Sequence, residues 1–120
     1  PFYHPWRAVM DDYFEYETEK VKGGIRTRTR PEHITEELYN LVGLDISSYY
    51  SKVKCPTLIV RATKGMLRDD DILLPKTVLK RMVSDIEEAW VVDLRGAHHY
   101  SVVFGENRVR DRALAGFLQS

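Results

Sequence analysis

The run TLIV at residues 57–60, directly after Pro56, decides the fold that the sequence predicts. It is a short continuous apolar run, partly β-branched and followed by a loop rich in Gly and Asp, which is typical of a strand buried on both faces. Residues 75–83 then show helical spacing, and a second apolar run, AWVVDL, occupies residues 89–94. The order strand, helix, strand predicts a parallel βαβ unit and therefore an α/β fold.

An amphipathic pattern over residues 5–21 predicts a helix near the start of the chain. Its apolar side chains fall on one stripe, and acidic side chains lie mostly on the other face. Pro5 suits the first position of such a helix, and Gly23 with Gly24 would end it.

Two further helices are expected, one on each side of the βαβ unit. Residues 31–42 place aliphatic side chains on a shared face, and Gly43 can close that helix in a left-handed conformation. A final helix is expected over about 106–118, where apolar side chains are available to pack on the sheet. Two helices, and no strong strand, are therefore expected before Pro56, and a parallel βαβα unit after it.

The composition bounds the function. With 120 residues, of which 43% are hydrophobic and 30% charged, the chain has the size and make-up of one folded globular domain. The 18 Lys and Arg balance the 18 Asp and Glu, so no long-range field favours nucleic acid or an anionic membrane. No apolar stretch approaches the roughly 18 residues of a membrane span, and residues 1–10 lack the regions of a signal peptide. The single cysteine, Cys55, excludes an internal disulfide, so a cytoplasmic location is expected. The balanced charge favours a small, roughly neutral molecule as the partner.

Two loops carry the residues that could perform chemistry. In an open parallel sheet, reactive side chains collect beyond the carboxyl ends of the strands. The loop after the first strand carries Asp69, Asp70 and Asp71, and the loop after the second carries His98 and His99. A carboxylate bonded to one imidazole nitrogen fixes the tautomer and leaves the other nitrogen free to take a proton from a nucleophile.

These segments resemble the C-terminal part of the α/β-hydrolase family. KCPTLIVRATKG at 54–65 resembles the strand that precedes the acid loop, and DLRGAHHYSVVF at 93–104 resembles the histidine loop. In that family the catalytic histidine commonly follows a Gly-x-x-His pattern, which Gly96 and His99 match. The resemblance implies that His99 is a general base and that no cofactor is needed.

The resemblance also implies a division of the chain. The helices before Pro56 resemble the helical cap that the family inserts ahead of its last two strands. Residues 1–50 are therefore expected to form a helical cap-like segment, and residues 51–120 the C-terminal part of the α/β-hydrolase core. The implied activity is the esterase-like hydrolysis of a small ester or acyl substrate.

Two features depart from the family pattern. The usual acid position falls on Gly65, which has no side chain, so the acid is expected at Asp69 or Asp70 in a longer loop, or on an earlier strand outside this chain. The nucleophile elbow, Gly-x-Ser-x-Gly, is absent from these residues. The chain by itself is therefore expected to be inactive. A relative with an Asp nucleophile, as in dehalogenases and epoxide hydrolases, stays open.

A two-stranded parallel unit would leave a strand edge and an apolar face uncovered. A partner is therefore expected to cover them. The partner would be the N-terminal half of the hydrolase, as part of the same gene product or as a companion chain, or a second copy in a homo-oligomer. The alternative function is a non-catalytic α/β binding or assembly module in which the histidines are incidental.

Several other residues are expected to be structural. His98 is expected to support its loop or line a pocket, and Cys55, before a proline, to be an inert thiol. Ser101 is in no elbow-like context and is not expected to be the nucleophile. The Arg-Thr alternation at 25–30 is expected to be a solvated connector. No His or Cys lies at ligand spacing, so no metal site is expected.

Overall fold

The computed structural model describes residues 6–120, which form helices and two small sheets. The chain divides into two compact units, Pro1–Asp45 and Ile46–Ser120. An α/β fold is therefore confirmed at the coarse level of mixed helices and sheets. The assignment of the two parts to a cap and to a hydrolase core stays a prediction.

The first unit contains two helices separated by a β-hairpin. In chain order its elements are α1 (Ala8–Glu17), β1 (Thr18–Val21), β2 (Gly24–Thr27) and α2 (Pro31–Val42). The strands β1 and β2 pair antiparallel, with Val21 opposite Gly24. The expected order, with two helices before any strong strand, does not include this hairpin, which lies between the two helices.

The predicted first helix ends four residues early. The Thr18 hydroxyl donates to the carbonyl of Phe14 at 2.7 Å at the end of α1, and the chain then becomes extended. The hairpin is supported across the strands, where Arg26 Nε donates to Glu19 Oε1 at 2.6 Å between residues in register. Gly23 has a φ of 95°, so it belongs to a tight turn and does not end a helix. The expected helix start at Pro5 lies outside the described residues.

The second helix is confirmed, and its expected ending is wrong. Helix α2 spans Pro31–Val42, with the proline in its first turn. Gly43 has φ −86° and ψ −1°, which is right-handed, because the chain continues in a tight turn closed by a bond from Leu44 N to the carbonyl of Leu41 at 3.1 Å. No residue of α2 is buried.

The second unit contains the parallel pair that the sequence predicts. A 3₁₀ helix spans Ile46–Lys52, and the following elements are β3 (Thr57–Ala62), α3 (Lys76–Asp85), β4 (Ala89–Leu94), α4 (Ser101–Phe104) and α5 (Arg108–Gln119). Strands β3 and β4 are parallel, so the predicted βαβ unit and the final helix are confirmed. The 3₁₀ helix and α4 are additions that the sequence pattern did not indicate.

Burial of the parallel pair is less complete than expected. Ile59 and Arg61 of β3 are buried, whereas the other residues of that strand are half-buried. Trp90 and Val91 of β4 are exposed. In the described part of the chain each of these strands has a single strand neighbour, so the sheet lacks the lateral cover that buries a parallel strand on both faces. None of the helices within 6–120 has the length and apolarity needed to cross a membrane.

Two adjacent glycines of the hairpin provide a test of the turn. Gly23→Ala is expected to destabilise the hairpin by about 1–2 kcal/mol, because a side chain disfavours the left-handed region. Gly24→Ala is the control, since Gly24 lies in a strand without positive φ and a Cβ there has open space. Urea unfolding followed through the amide signals of β1 and β2 measures both variants. Equal losses in the two would contradict the turn assignment.

Candidate active site

The loops that follow β3 and β4 meet at one end of the parallel pair. The Thr63 hydroxyl donates to the carbonyl of Leu94 and accepts a bond from Gly96 N, each at 3.1 Å. Lys64 N donates to the carbonyl of Ala97 at 2.9 Å. Gly96 has a φ of 76°, a conformation that favours glycine at this turn. These bonds fix the loop that carries His98 and His99 against the end of β3.

The loop after β3 is organised by Asp71. Its carboxylate accepts backbone N–H bonds from Met66 and from Leu67, the latter at 2.9 Å. A Cβ on Gly65 would collide with the carbonyl of Arg68 and with the carboxylate of Asp71. Only glycine therefore fits at position 65 in this loop, which gives a steric reason for the missing acid at that position.

The same backbone bonds lower the pKa of Asp71. The largest cause is the N–H of Leu67, which stabilises the charged carboxylate, and the N–H groups of Met66 and Arg68 add to it. Burial acts in the opposite direction but is outweighed, and the Arg68 charge contributes last. Asp71 is therefore ionised throughout the neutral pH range.

The other two aspartates of the run, Asp69 and Asp70, do not bind the backbone N–H groups of Met66 and Leu67. Asp70 forms a two-point pair with Arg68, with Nε to Oδ1 at 2.9 Å and Nη2 to Oδ2 at 2.7 Å, and both side chains are exposed. Asp69 is exposed and makes no hydrogen bond or ion pair within residues 6–120. Of the three carboxylates, Asp71 is the one that lines a cavity together with His99.

His98 and Ser101 bond to each other at the start of α4. His98 N donates to the Ser101 hydroxyl at 2.8 Å, and that hydroxyl donates to the carbonyl of His98 at 3.2 Å. Ser101 N donates to Nδ1 of His98 at 3.4 Å. These local bonds agree with a structural role for His98 and occupy the hydroxyl of Ser101.

His99 is exposed and lines a cavity of about 90 Å³. Its ring meets the ring of Tyr100 edge-on, with 5.5 Å between the centroids, and Tyr100 stacks on Phe104. The cavity is bordered by Arg61, Lys64, Asp71 and His99, and by apolar side chains (Val60, Ala62, Met66, Leu73, Leu74, Val102). Between residues 6 and 120, no carboxylate is hydrogen-bonded to His99. The structure thus brings His99 and Asp71 to one cavity without joining them.

Arg61 is a residue of this site that the sequence reasoning missed. Its side chain is 3% exposed, and it donates from Nε to the carbonyl of Leu74 at 2.7 Å and from Nη1 to Asp93 Oδ1 at 3.1 Å. Arg61 and Asp93 are register partners on the two strands. The signal was present in the sequence, because Arg61 directly follows the run TLIV and Asp93 lies inside the run AWVVDL, so each predicted strand carries one charge and the two signs are opposite.

No group of three or more His, Cys, Asp or Glu in the described part of the chain could hold a metal ion. Comparisons with protein-family models, with curated proteins and with solved structures find no match to this chain. The resemblance to α/β-hydrolases is therefore one of sequence motifs alone, and it stays a prediction.

The Thr63 hydroxyl offers a test of how the two loops are held. Thr63→Val keeps the side-chain shape and removes both hydroxyl bonds, so the free energy of unfolding is expected to fall by about 1–3 kcal/mol. Thr77→Val is the matched control, because Thr77 is exposed and its side chain makes no bond within the described residues. Urea denaturation measures both. A loss no larger than that of the control would contradict the role of Thr63.

The lowered pKa of Asp71 predicts a pH dependence of its loop. Because folding lowers the pKa, the charged carboxylate stabilises the loop fully above the ordinary aspartate value of about pH 4. That stabilisation is lost as the pH falls through the lowered pKa. The amide signals of Met66 and Leu67 are expected to titrate below the ordinary aspartate range, and Asp71→Asn should abolish this titration. A midpoint within or above the ordinary range would contradict the assignment.

Proposed function

We propose that this chain is the C-terminal part of an α/β-hydrolase that cleaves a small ester or related acyl compound. The observation that carries the proposal is the position of His99 and Asp71 on one cavity beyond the carboxyl ends of β3 and β4. That is where open α/β sheets bind their ligands. The motif resemblance of 54–65 and 93–104 supports the same function.

His99 is the proposed general base. It would take a proton from a serine hydroxyl, or from a water molecule, and return it to the leaving group. The exposed ring leaves its nitrogens accessible to a nucleophile contributed from outside these residues. The nucleophile elbow and the oxyanion hole are proposed to come from an N-terminal segment, so the chain alone would be inactive.

Asp71 is the carboxylate best suited to orient His99. Asp69 and Asp70 were the candidates from the sequence, but Asp70 is engaged by Arg68 and neither borders the cavity. Two carboxylate oxygens can accept about four bonds, so the backbone bonds of Asp71 leave capacity for an imidazole N–H. An ionised carboxylate at this place would stabilise the imidazolium formed during proton transfer.

The proposed partner is the segment that completes the sheet. Within 6–120, β3 and β4 each have one strand neighbour, and Trp90 and Val91 expose apolar surface on β4. An N-terminal half of the hydrolase, in the same gene product or as a companion chain, would pair with a free edge, and a second copy is the other candidate. A cytoplasmic location is part of this proposal.

A second candidate function is a non-catalytic assembly module. The observation that favours it is the exposed apolar surface of α2, where Ile34 and Leu38 are at least half exposed at 50% and 58%. An amphipathic helix with no buried residue is a surface that another protein could cover. In this function His99 would have no chemical role.

The two adjacent histidines, His98 and His99, provide a test of the proposed general base. In the complete gene product, including any residues encoded before Pro1, hydrolysis of p-nitrophenyl acetate and butyrate is measured for His99→Ala and His98→Ala. His99→Ala is expected to lower kcat by about 10²–10⁴-fold, the usual contribution of a general base. His98→Ala is the control and should keep most of the activity. Circular dichroism checks that both variants fold.

The same assay separates the candidates. Asp71→Asn should lower the rate far more than Asp70→Asn if Asp71 orients the imidazole. Equal rates for His99→Ala and the unmodified protein, or no esterase activity in a folded complete product, would contradict the hydrolase. A folded, inactive product that still associates through the exposed surface would support the assembly module.

A further inference from the structure

A buried arginine borders the cavity beside His99. Arg61 is 3% exposed, and among the described residues it is the one charged side chain that is buried. A buried guanidinium is stable only when its N–H groups and its charge are compensated. The partners of Arg61 therefore decide what else this cavity can hold.

The protein provides hydrogen-bond acceptors for only some of the N–H groups of the Arg61 guanidinium. Nε donates to the carbonyl of Leu74, and Nη1 donates to Asp93. Nη2, which carries two of the five N–H groups of an arginine, has no acceptor within residues 6–120. Within residues 6–120, every side-chain nitrogen or oxygen that is fully buried in a residue shielded from solvent has a hydrogen-bond partner. Because Nη2 has none, it must border accessible space. Arg61 lines the cavity, and we infer that Nη2 faces it.

The charge of Arg61 is also incompletely compensated. Asp93 is 44% exposed and contacts Arg61 through one oxygen at 3.1 Å, so water shares its charge. Lys64 adds a second cation to the cavity lining, and Asp71 is the one carboxylate there. The two cations of the lining are therefore opposed by one ionised carboxylate, which is held in place by its backbone N–H bonds. An anion in the cavity would be attracted by both cations and would gain the free donors of Arg61.

The rest of the lining selects the kind of anion. Most of the wall is apolar, contributed by β3, the loop after it and α4. A volume of about 90 Å³ exceeds the roughly 10–15 Å³ needed by one ordered water, yet suits only a few heavy atoms. A guanidinium fork matches the two oxygens of a carboxylate. We propose that this cavity binds a small monocarboxylate, with its oxygens on Arg61 and its short alkyl group against the apolar wall.

This site goes beyond the proposed hydrolysis, because it needs only Arg61 and the cavity. The test is a titration of the ¹⁵N-labelled protein with sodium acetate, at constant ionic strength maintained with sodium chloride, followed through the assigned Nε–H signal of Arg61. Acetate is expected to shift this signal to saturation. Acetamide has the same shape without the charge and is expected to give no saturable shift.

Two variants on α4 connect the signal to the cavity. Val102→Phe would fill the cavity without removing Arg61 and is expected to abolish the acetate shift. Val103→Phe is the matched control, because Val103 is 64% exposed and lies outside this lining, and it should bind acetate normally. The amide signals of β3 and β4 verify folding. Should Val102→Phe not fold, Arg61→Lys replaces it and is followed through the backbone amide signals of Ala62 and Lys64 in both the variant and the unmodified protein. This variant is expected to bind acetate at least about tenfold more weakly, since it loses the fork.

Three results would overturn the proposal. The first is a linear, non-saturating response to acetate, which indicates no site. The second is an equal response to acetate, chloride and acetamide, which indicates a general salt or solvent effect. The third is a saturable acetate shift that survives both Val102→Phe and Arg61→Lys, which places the bound anion elsewhere.

Discussion

The parallel register of β3 and β4 is the constraint on which the candidate site depends. Thr57 lies opposite Ala89 and Ala62 opposite Leu94, so both strands end at the same level and their loops leave from one edge. A slip of one residue would turn the side chains of one strand to the other face. The two loops would then no longer be tied through Thr63, and the residues around the cavity would separate.

The pair of Arg61 and Asp93 helps to define that register. An ion pair with one buried member contributes little net stability, because removing the buried charge of Arg61 from water costs about as much as the attraction to the half-exposed Asp93 returns. The pair does raise the free energy of every other strand register, because Arg61 would then be buried without an opposite charge. We interpret the pair as a register constraint in a sheet of two strands, where few neighbours are available to specify the pairing. The incomplete satisfaction of Arg61 follows from the same two-strand architecture, since Asp93 stays close to solvent.

The sequence predicted those elements whose signal is local and strong. TLIV and the run at 89–94 are apolar enough to be recognised as strands, and helix α2 was located with its observed bounds. The sequence does not reveal the hairpin, because Val21 continues the helical stripe and the two glycines after it are typical of a helix end. In the structure Gly23 has the positive φ of a turn. The sequence could not predict which of the three adjacent aspartates lines the cavity, because all three are the same residue type. Asp71 is distinguished only by the backbone geometry of the loop, which brings the N–H groups of Met66 and Leu67 to its carboxylate. The resemblance suggested His99, and its general-base role stays a proposal.

The geometry around Gly65 explains why the loop after β3 presents Asp71 and has no side chain at position 65. The resemblance places the family's acid at position 65, where this chain has no side chain. The loop folds back so that the Asp71 carboxylate lies in contact range of the space that a Cβ on residue 65 would enter. The Arg68 carbonyl and the Asp71 carboxylate together fill the space next to residue 65, so a side chain there would collide with both. The absence of a side chain at Gly65 thus leaves room for the Asp71 carboxylate to accept the backbone N–H bonds of Met66 and Leu67, and this places Asp71 on the cavity that His99 also lines.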